Sequence, residues 1–305
     1  MSRDGWRVFR HGKAILGESP VWDAGHATLW WVDCKAHTVY ASGRGSELTR
    51  RYDEPVGSVV LATAGRTAVL LGRRVLLVDR AGLIERQVAT IPSPPGHVLN
   101  DAKADPFGNL VAGTIDLAWT SPTAALYRVS GTGEVMVLRD GLTISNGLDW
   151  SPDGSRIYFT DSAAGTVYTA EYRRDGLSDE RVFAVVGDGM PDGLTVDRDG
   201  FVWVAVKGAG RVVRYAPDGG RGHEVRVPVQ HLTSVAFGGA GLGTLFVTTA
   251  CHGLDPKYLA HQPLTGSVLA FSPGAHGKPP YRFRPAEHAR DDTPAAPAPI
   301  AAVLE

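Results

Sequence analysis

The stretch that decides the fold is Ser145–Ser162, SNGLDWSPDGSRIYFTDS. Trp150 and the run Ile157-Tyr158-Phe159 are strand formers, and Ser151-Pro152-Asp153-Gly154 between them is a tight turn. Asn146-Gly147, just ahead of the first strand, is the odd pair. Read alone, it is a turn. Yet Asn146 also offers a neutral carbonyl oxygen, a donor that suits a hard cation.

The same pattern recurs along the chain, a turn rich in Asp, Gly and Pro followed by a short apolar strand. Trp22-Asp23-Ala24-Gly25 precedes Leu29-Trp30-Trp31-Val32, and Ala64-Gly65-Arg66 precedes Ala68-Val69-Leu70-Leu71. Asp105-Pro106-Phe107-Gly108 precedes Leu110-Val111-Ala112, Asp199-Gly200 precedes Phe201-Val202-Trp203-Val204, and Gly239-Ala240-Gly241 precedes Leu245-Phe246-Val247. Taking Leu29, Val69, Leu110, Ile157, Val202 and Leu245 as equivalent, the period is about 40 to 47 residues. Each repeat also carries a second strand pair, such as Val75-Leu76-Leu77-Val78 or Arg211-Val212-Val213-Arg214-Tyr215. About four strands in such a period make a propeller blade. The predicted fold is all-β: a six-bladed β-propeller with four-stranded blades around a central channel. Residues 1–284 form its single domain, and the Ala/Pro-rich residues 285–305 are expected to be a flexible tail.

Composition narrows the function. The 305 residues carry 31 Lys plus Arg against 32 Asp plus Glu, so nothing favours nucleic acid. No apolar run reaches the roughly 20 residues of a membrane span. The N-terminal MSRDGWRVFR lacks a signal-peptide core, and Cys34 and Cys251, far apart in sequence, read as free thiols. A cytoplasmic protein is expected, a monomer or weak dimer with a small-molecule substrate and no nucleic-acid or membrane partner.

In a propeller, the loops at one end of the channel converge. Polar oxygen donors stand a few residues before the recurrent turn in four repeats: Glu18, Asn100, Asn146 and Asp192. They are expected to line one channel mouth.

These segments carry a resemblance. SNGLDWSPDG, PDGLTVDRDGFVWVA, GRVVRY, TSVAFGG and LFVTTACHGLDP, in this order, resemble the SMP-30/gluconolactonase/regucalcin-like family from about Gly17 to Gly274. The resemblance implies one divalent cation at the top of the channel, with Glu18, Asn146 and Asp192 as its ligands and Asn100 beside it, touching substrate or a bound water. An all-oxygen donor set suits Ca²⁺, Mg²⁺ or Mn²⁺, with Zn²⁺ as a further candidate. The implied activity is lactone hydrolysis, with the cation as Lewis acid, a water nucleophile and Asp192 as base. Asp101 and Asp197 are expected to orient the ligands or their loops.

The chain also departs from that pattern. Val98 stands where relatives carry a substrate-binding Arg, Ala118 where animal members carry a Glu, Lys207 where an aromatic residue is frequent, and Cys251-His252 where an Arg-Asp pair is common. The substrate is therefore expected to be a sugar-acid-type lactone or, as these departures favour, a less hydroxylated or more apolar lactone or another electrophile. The alternatives are a propeller recruited for a metal-assisted cyclisation, elimination or isomerisation, and a non-enzymatic Ca²⁺-binding protein. His97, Lys207 and His252 are read as loop or surface residues, with Lys207 able to bind a carboxylate if it points into the channel.

Overall fold

The computed structural model describes residues 5–44, 46–119 and 121–287. It is a six-bladed β-propeller, six antiparallel sheets of four strands arranged in a ring. The innermost strands are Gly17–Asp23, Val56–Leu61, His97–Ala104, Ser145–Trp150, Met190–Val196 and Leu232–Gly238 for blades one to six. Each contacts the innermost strands of the blades on either side.

The residues that set the sequence period all fall on the second strand of their blade. Those strands are Thr28–Asp33, Thr67–Leu71, Leu110–Asp116, Arg156–Asp161, Val202–Lys207 and Thr244–Thr249. They are buried on both faces, which is why they read as apolar runs. The recurrent turn joins first strand to second at the lower end of the channel. Its aspartate is structural: Asp105 accepts the N–H groups of Phe107 (2.8 Å) and Asn109 (2.7 Å), and Asp197 those of Asp199 (3.0 Å) and Phe201 (2.9 Å). A carboxylate that folds back on its own turn explains why Asp recurs there.

Two closures were not legible in the sequence pattern. Blade six takes its outermost strand from the chain start, Arg7–Arg10 pairing with Val268–Phe271, so the two ends of the chain lock the ring. Below the channel runs a strap that makes no sheet. Arg198 N–H donates to His276 O, Phe283 N–H to Leu61 O, Arg284 N–H to Gly108 O and Ala286 N–H to Gly131 O. The strap thus touches blades two, three and five. Of the predicted tail, residues 288–305 lie outside the described residues.

The strap also delivers charge to the channel floor. Lys278 Nζ donates to Asp149 Oδ1 at 2.6 Å, and Lys103 Nζ lies 3.5 Å from Asp149 Oδ2. These groups border a small cavity of about 50 Å³ with Asp101, Thr195 and Ser234. Burial raises the Asp149 pKa, but the two lysines and the Val196 N–H outweigh it and hold the carboxyl far below its usual range. A depressed carboxyl stabilises the fold above the unfolded-state pKa, about 4, and that stabilisation is lost as pH falls below it. Lys278→Met should therefore cost about 3 kcal/mol at pH 7 by leaving part of a buried charge unpaired. Urea unfolding should show the deficit shrinking below about pH 4.

Candidate metal centre

At the upper channel mouth each innermost strand breaks register with its neighbour. The shifts fall between Glu18 and Val21, Val56 and Ser58, Leu99 and Ala102, Ser145 and Leu148, Pro191 and Leu194, and Leu232 and Val235. Such an irregularity bends the strand and re-aims the side chains within it. Asn100, Asn146 and Asp192 sit inside these breaks, and Glu18, paired with Val32, borders its own. Pro20 is tolerated in a strand for the same reason: the ladder is already interrupted there.

Asn146-Gly147 is thus not a turn, as the isolated stretch suggested; it lies within the strand Ser145–Trp150. The glycine answers a different need. A Cβ on Gly147 would stand 2.3 Å from Leu194 N and 2.6 Å from Asp192 O, and one on Gly193 would stand 2.0 Å from Ser234 Oγ. The inner strands approach too closely there for any side chain.

Two of the strands that carry predicted site residues are entered through the same clamp. Asp33, opposite Gly17 in the ladder, accepts the N–H groups of Ile15 (2.7 Å) and Leu16 (3.1 Å). Asp161, opposite Ser145, accepts those of Thr143 (2.9 Å) and Ile144 (3.1 Å). Each clamp fixes the two residues that lie three and two positions before a predicted site residue. Neither aspartate was singled out by sequence, although both end an apolar strand in equivalent positions.

The predicted residues converge. Glu18, Asn146 and Asp192 are 8%, 7% and 3% exposed. Asn146 Nδ2 donates to Asp192 Oδ1 in a close contact and to Ser162 Oγ at 3.2 Å. Both bonds use the nitrogen, so the amide oxygen makes neither. Burial lifts the Glu18 carboxyl well above its usual range, and the Asp192 charge lifts it further. Asp192 is itself pushed up to about 6, by burial first and by Asp101 in addition, with Lys207 and the Asn146 bond opposing. Asn100 Nδ2 donates to Ser145 O at 2.9 Å, which ties blade three to blade four.

The other residues marked in the sequence separate clearly. Asp101 is buried, its pKa raised to about 6 by burial against the pull of Lys103, and it lies near enough to Glu18 to raise that carboxyl. Asp197 lies at the other end of the strand from Asp192 and bonds Trp203 and Arg214 rather than the site. His97 is buried, with Nε2 2.9 Å from Thr123 Oγ1, a structural placement. Val98 pairs with Ile115 across the blade-three ladder. Cys34 and Cys251 are both free thiols. Lys207, read as a surface residue, is instead drawn in: its Nζ lies 3.9 Å from Asp192 Oδ2 and its side chain is 21% exposed.

Two buried carboxylates, Glu18 raised by burial and by the Asp192 charge and Asp192 with one lysine at ion-pair range, are costly unless more positive charge joins them. Among the described residues no three His, Cys, Asp or Glu side chains form a metal-sized cluster. The third candidate donor is the side-chain amide of Asn146, whose two bonds here use its nitrogen, so the candidate donors are all oxygens. That set fits a hard divalent cation and offers nothing to a soft one.

Comparison with known proteins agrees with this architecture. The family model described as "SMP-30/Gluconolactonase/LRE-like region" matches residues 16–251, and the chain belongs to that family. It is 36% identical to regucalcin of Danio rerio over 284 residues, covering 89% of this chain and 95% of that one. It is 33% identical over 264 residues to the 6-deoxy-6-sulfogluconolactonase of Pseudomonas putida, covering 84% and 91% of the two chains. Among solved structures it is similar to a calcium-binding protein, regucalcin, from Agrobacterium tumefaciens, with a TM-score of 0.86 and 26% identity over 92% of this chain and 97% of that one.

The clamps give a test. Asp161→Ala frees the peptide that carries Asn146 without touching a proposed ligand. Titration calorimetry should show Ca²⁺ affinity lowered about 10-fold or more, as outer-shell substitutions do, with the circular dichroism spectrum retained.

Proposed function

We propose that the protein is a lactone hydrolase that holds one divalent cation on Glu18, Asn146 and Asp192. The observation that carries this reading is the convergence of two buried carboxylates and one side-chain amide from blades one, four and five. The relatives' names support the substrate class, since one is a sulfogluconolactonase, and a similar structure is called a calcium-binding protein.

The cation, when bound, supplies a Lewis acid for the lactone carbonyl. The chain's own groups do the rest. Asp192 keeps Oδ1 for the Asn146 amide, so Oδ2 is the oxygen free to take a proton from water. Its pKa of about 6 before any ion binds leaves it ionised at neutral pH, and a bound cation holds it so more firmly. Asn100 spends its nitrogen on Ser145 O, which leaves its oxygen to orient the water or a substrate hydroxyl. Glu18 follows the Ile15-Leu16 segment that the Asp33 clamp fixes, and it contributes the second carboxylate that would hold the ion. No helix among the described residues is long and apolar enough to cross a membrane.

The test is a lactone panel run before and after chelation. Hydrolysis should vanish with EDTA and return with at least one of Ca²⁺, Mg²⁺, Mn²⁺ or Zn²⁺. Asp192→Asn should lower kcat by about 100-fold or more, the scale of a lost general base. Turnover that survives complete chelation, or an Asp192→Asn enzyme with full activity, would overturn the reading.

A further inference from the structure

We propose that the lactone opened at this site carries an anionic substituent, a carboxylate or a similar oxyanion, and that Lys207 receives it. The inference rests on the lactonase reading above and names the substrate class within it.

The first observation is positional. Lys207 ends the second strand of blade five and pairs with Met190, at the entry to the strand that carries Asp192. The equivalent places in blades one and four hold Asp33 and Asp161, each opposite the residue that begins its inner strand. Those aspartates accept the N–H groups of the incoming loop, besides N–H groups of their own turn, and so fix that loop. An ammonium only donates and cannot do this. Lys207 instead turns to the channel, where it faces the Glu18 and Asp192 carboxylates.

The second observation is the charge balance along the channel. On the floor, Asp101 and Asp149 are matched by Lys103 and Lys278. At the mouth, Glu18 and Asp192 face Lys207. Two carboxylates neutralise a divalent cation between them. The Lys207 charge is then left over, partly exposed, at the edge of the reacting centre.

The third observation is the make-up of the rim. His231, just before the blade-six inner strand, and His252 both feel Lys207. Burial, with the field of Lys207 (and, for His252, of Lys35), keeps both rings below the usual histidine range, so they stand as neutral groups. His231 Nδ1 is buried and has no hydrogen-bond partner. Their backbones are pinned: Ala250 N–H donates to His231 O at 2.9 Å, and His252 N–H to Ile15 O at 2.8 Å. Across the mouth, blade three contributes Val98 paired with Ile115, and an exposed Trp119. One side of the rim thus carries the Lys207 cation, and the other carries Val98, Ile115 and Trp119 beside Asp116, which pairs with His97. A neutral polyol has no use for that asymmetry, whereas a lactone with one charged end does.

The test compares a glucaric acid monolactone, which keeps a free carboxylate, with gluconolactone, both at saturating divalent cation. The wild-type enzyme should favour the acidic lactone by about tenfold in kcat/KM, the scale of one partly desolvated ion pair. Lys207→Met should bring that ratio to about one, with the loss in KM, and Lys207→Arg should keep most of the preference. A wild-type ratio of one or below overturns the proposal. So does a Lys207→Met enzyme that loses the same factor on both lactones, since Lys207 would then serve the reacting centre rather than a substituent. Calorimetry of glucarate against gluconate on the Ca²⁺-loaded protein separates the two readings. If neither lactone is opened, the hydrolase reading fails, and tighter binding of glucarate that Lys207→Met abolishes still establishes the anion site. Equal binding of the two acids removes it.

Discussion

Adjacent inner strands touch backbone to backbone where they enter the upper channel, and everything at the mouth depends on that contact. Gly57 lies against Leu99 O, Gly147 against Leu194 N and Asp192 O, and Gly193 against Ser234. Each position would place a Cβ within 2.3 Å of its neighbour. Wider spacing would hold Glu18, Asn146 and Asp192 apart, because their side chains are short and their blades are separate. The register breaks and the glycines therefore act together. The break turns the polar side chain inward, and the glycine beside it lets the next strand come close enough to share the site.

The same pattern explains what could be read from the chain and what could not. The six-fold period was legible because the turn below each blade is closed by its own side chains, so Asp105 and Asp197 mark it locally. The four mouth residues were found through the period and the family pattern. Their placement was misjudged: they sit inside strands, not on loops before them. A break in register has no residue signature of its own, since it is a relation between two strands. The ring closure was hidden for a similar reason. Arg7–Arg10 is too short to show alternation, and its partner strand lies at the other end of the chain. The strap carries no periodicity because it borrows its hydrogen bonds from the turns of other blades.

Lys207 was misread because a lysine at the end of a strand is usually solvated. The signal that would have found it lies within the chain itself. Laying blade on blade puts Lys207 opposite Met190, in the ladder position that Asp33 and Asp161 hold opposite Gly17 and Ser145. In two blades that position accepts backbone N–H groups. A cation there must do something else, and the ladder geometry leaves it only the channel. Comparing repeats with each other, rather than with the average protein, turns a bland residue into an informative one.

The two ends of the channel also differ in a way that locates the proposed ion. The floor is already neutral. Lys103 and Lys278 lie within 3.5 Å and 2.6 Å of Asp149, and Lys103 also lowers the Asp101 carboxyl. A divalent cation there would have to displace two half-buried ammonium groups, one of them held by Leu194 O at 2.8 Å. At the mouth the single lysine stands 3.9 Å from its nearest carboxylate oxygen, beyond hydrogen-bond length, and two acids share it. Repulsion between those acids falls only if a second positive charge arrives or one of them takes up a proton. A cation at the floor would have to compete with fixed lysines, which favours the mouth as the place of the proposed ion. The lysines of the lower channel thus contribute to function at a distance, by leaving only one end of the channel with negative charge to spare.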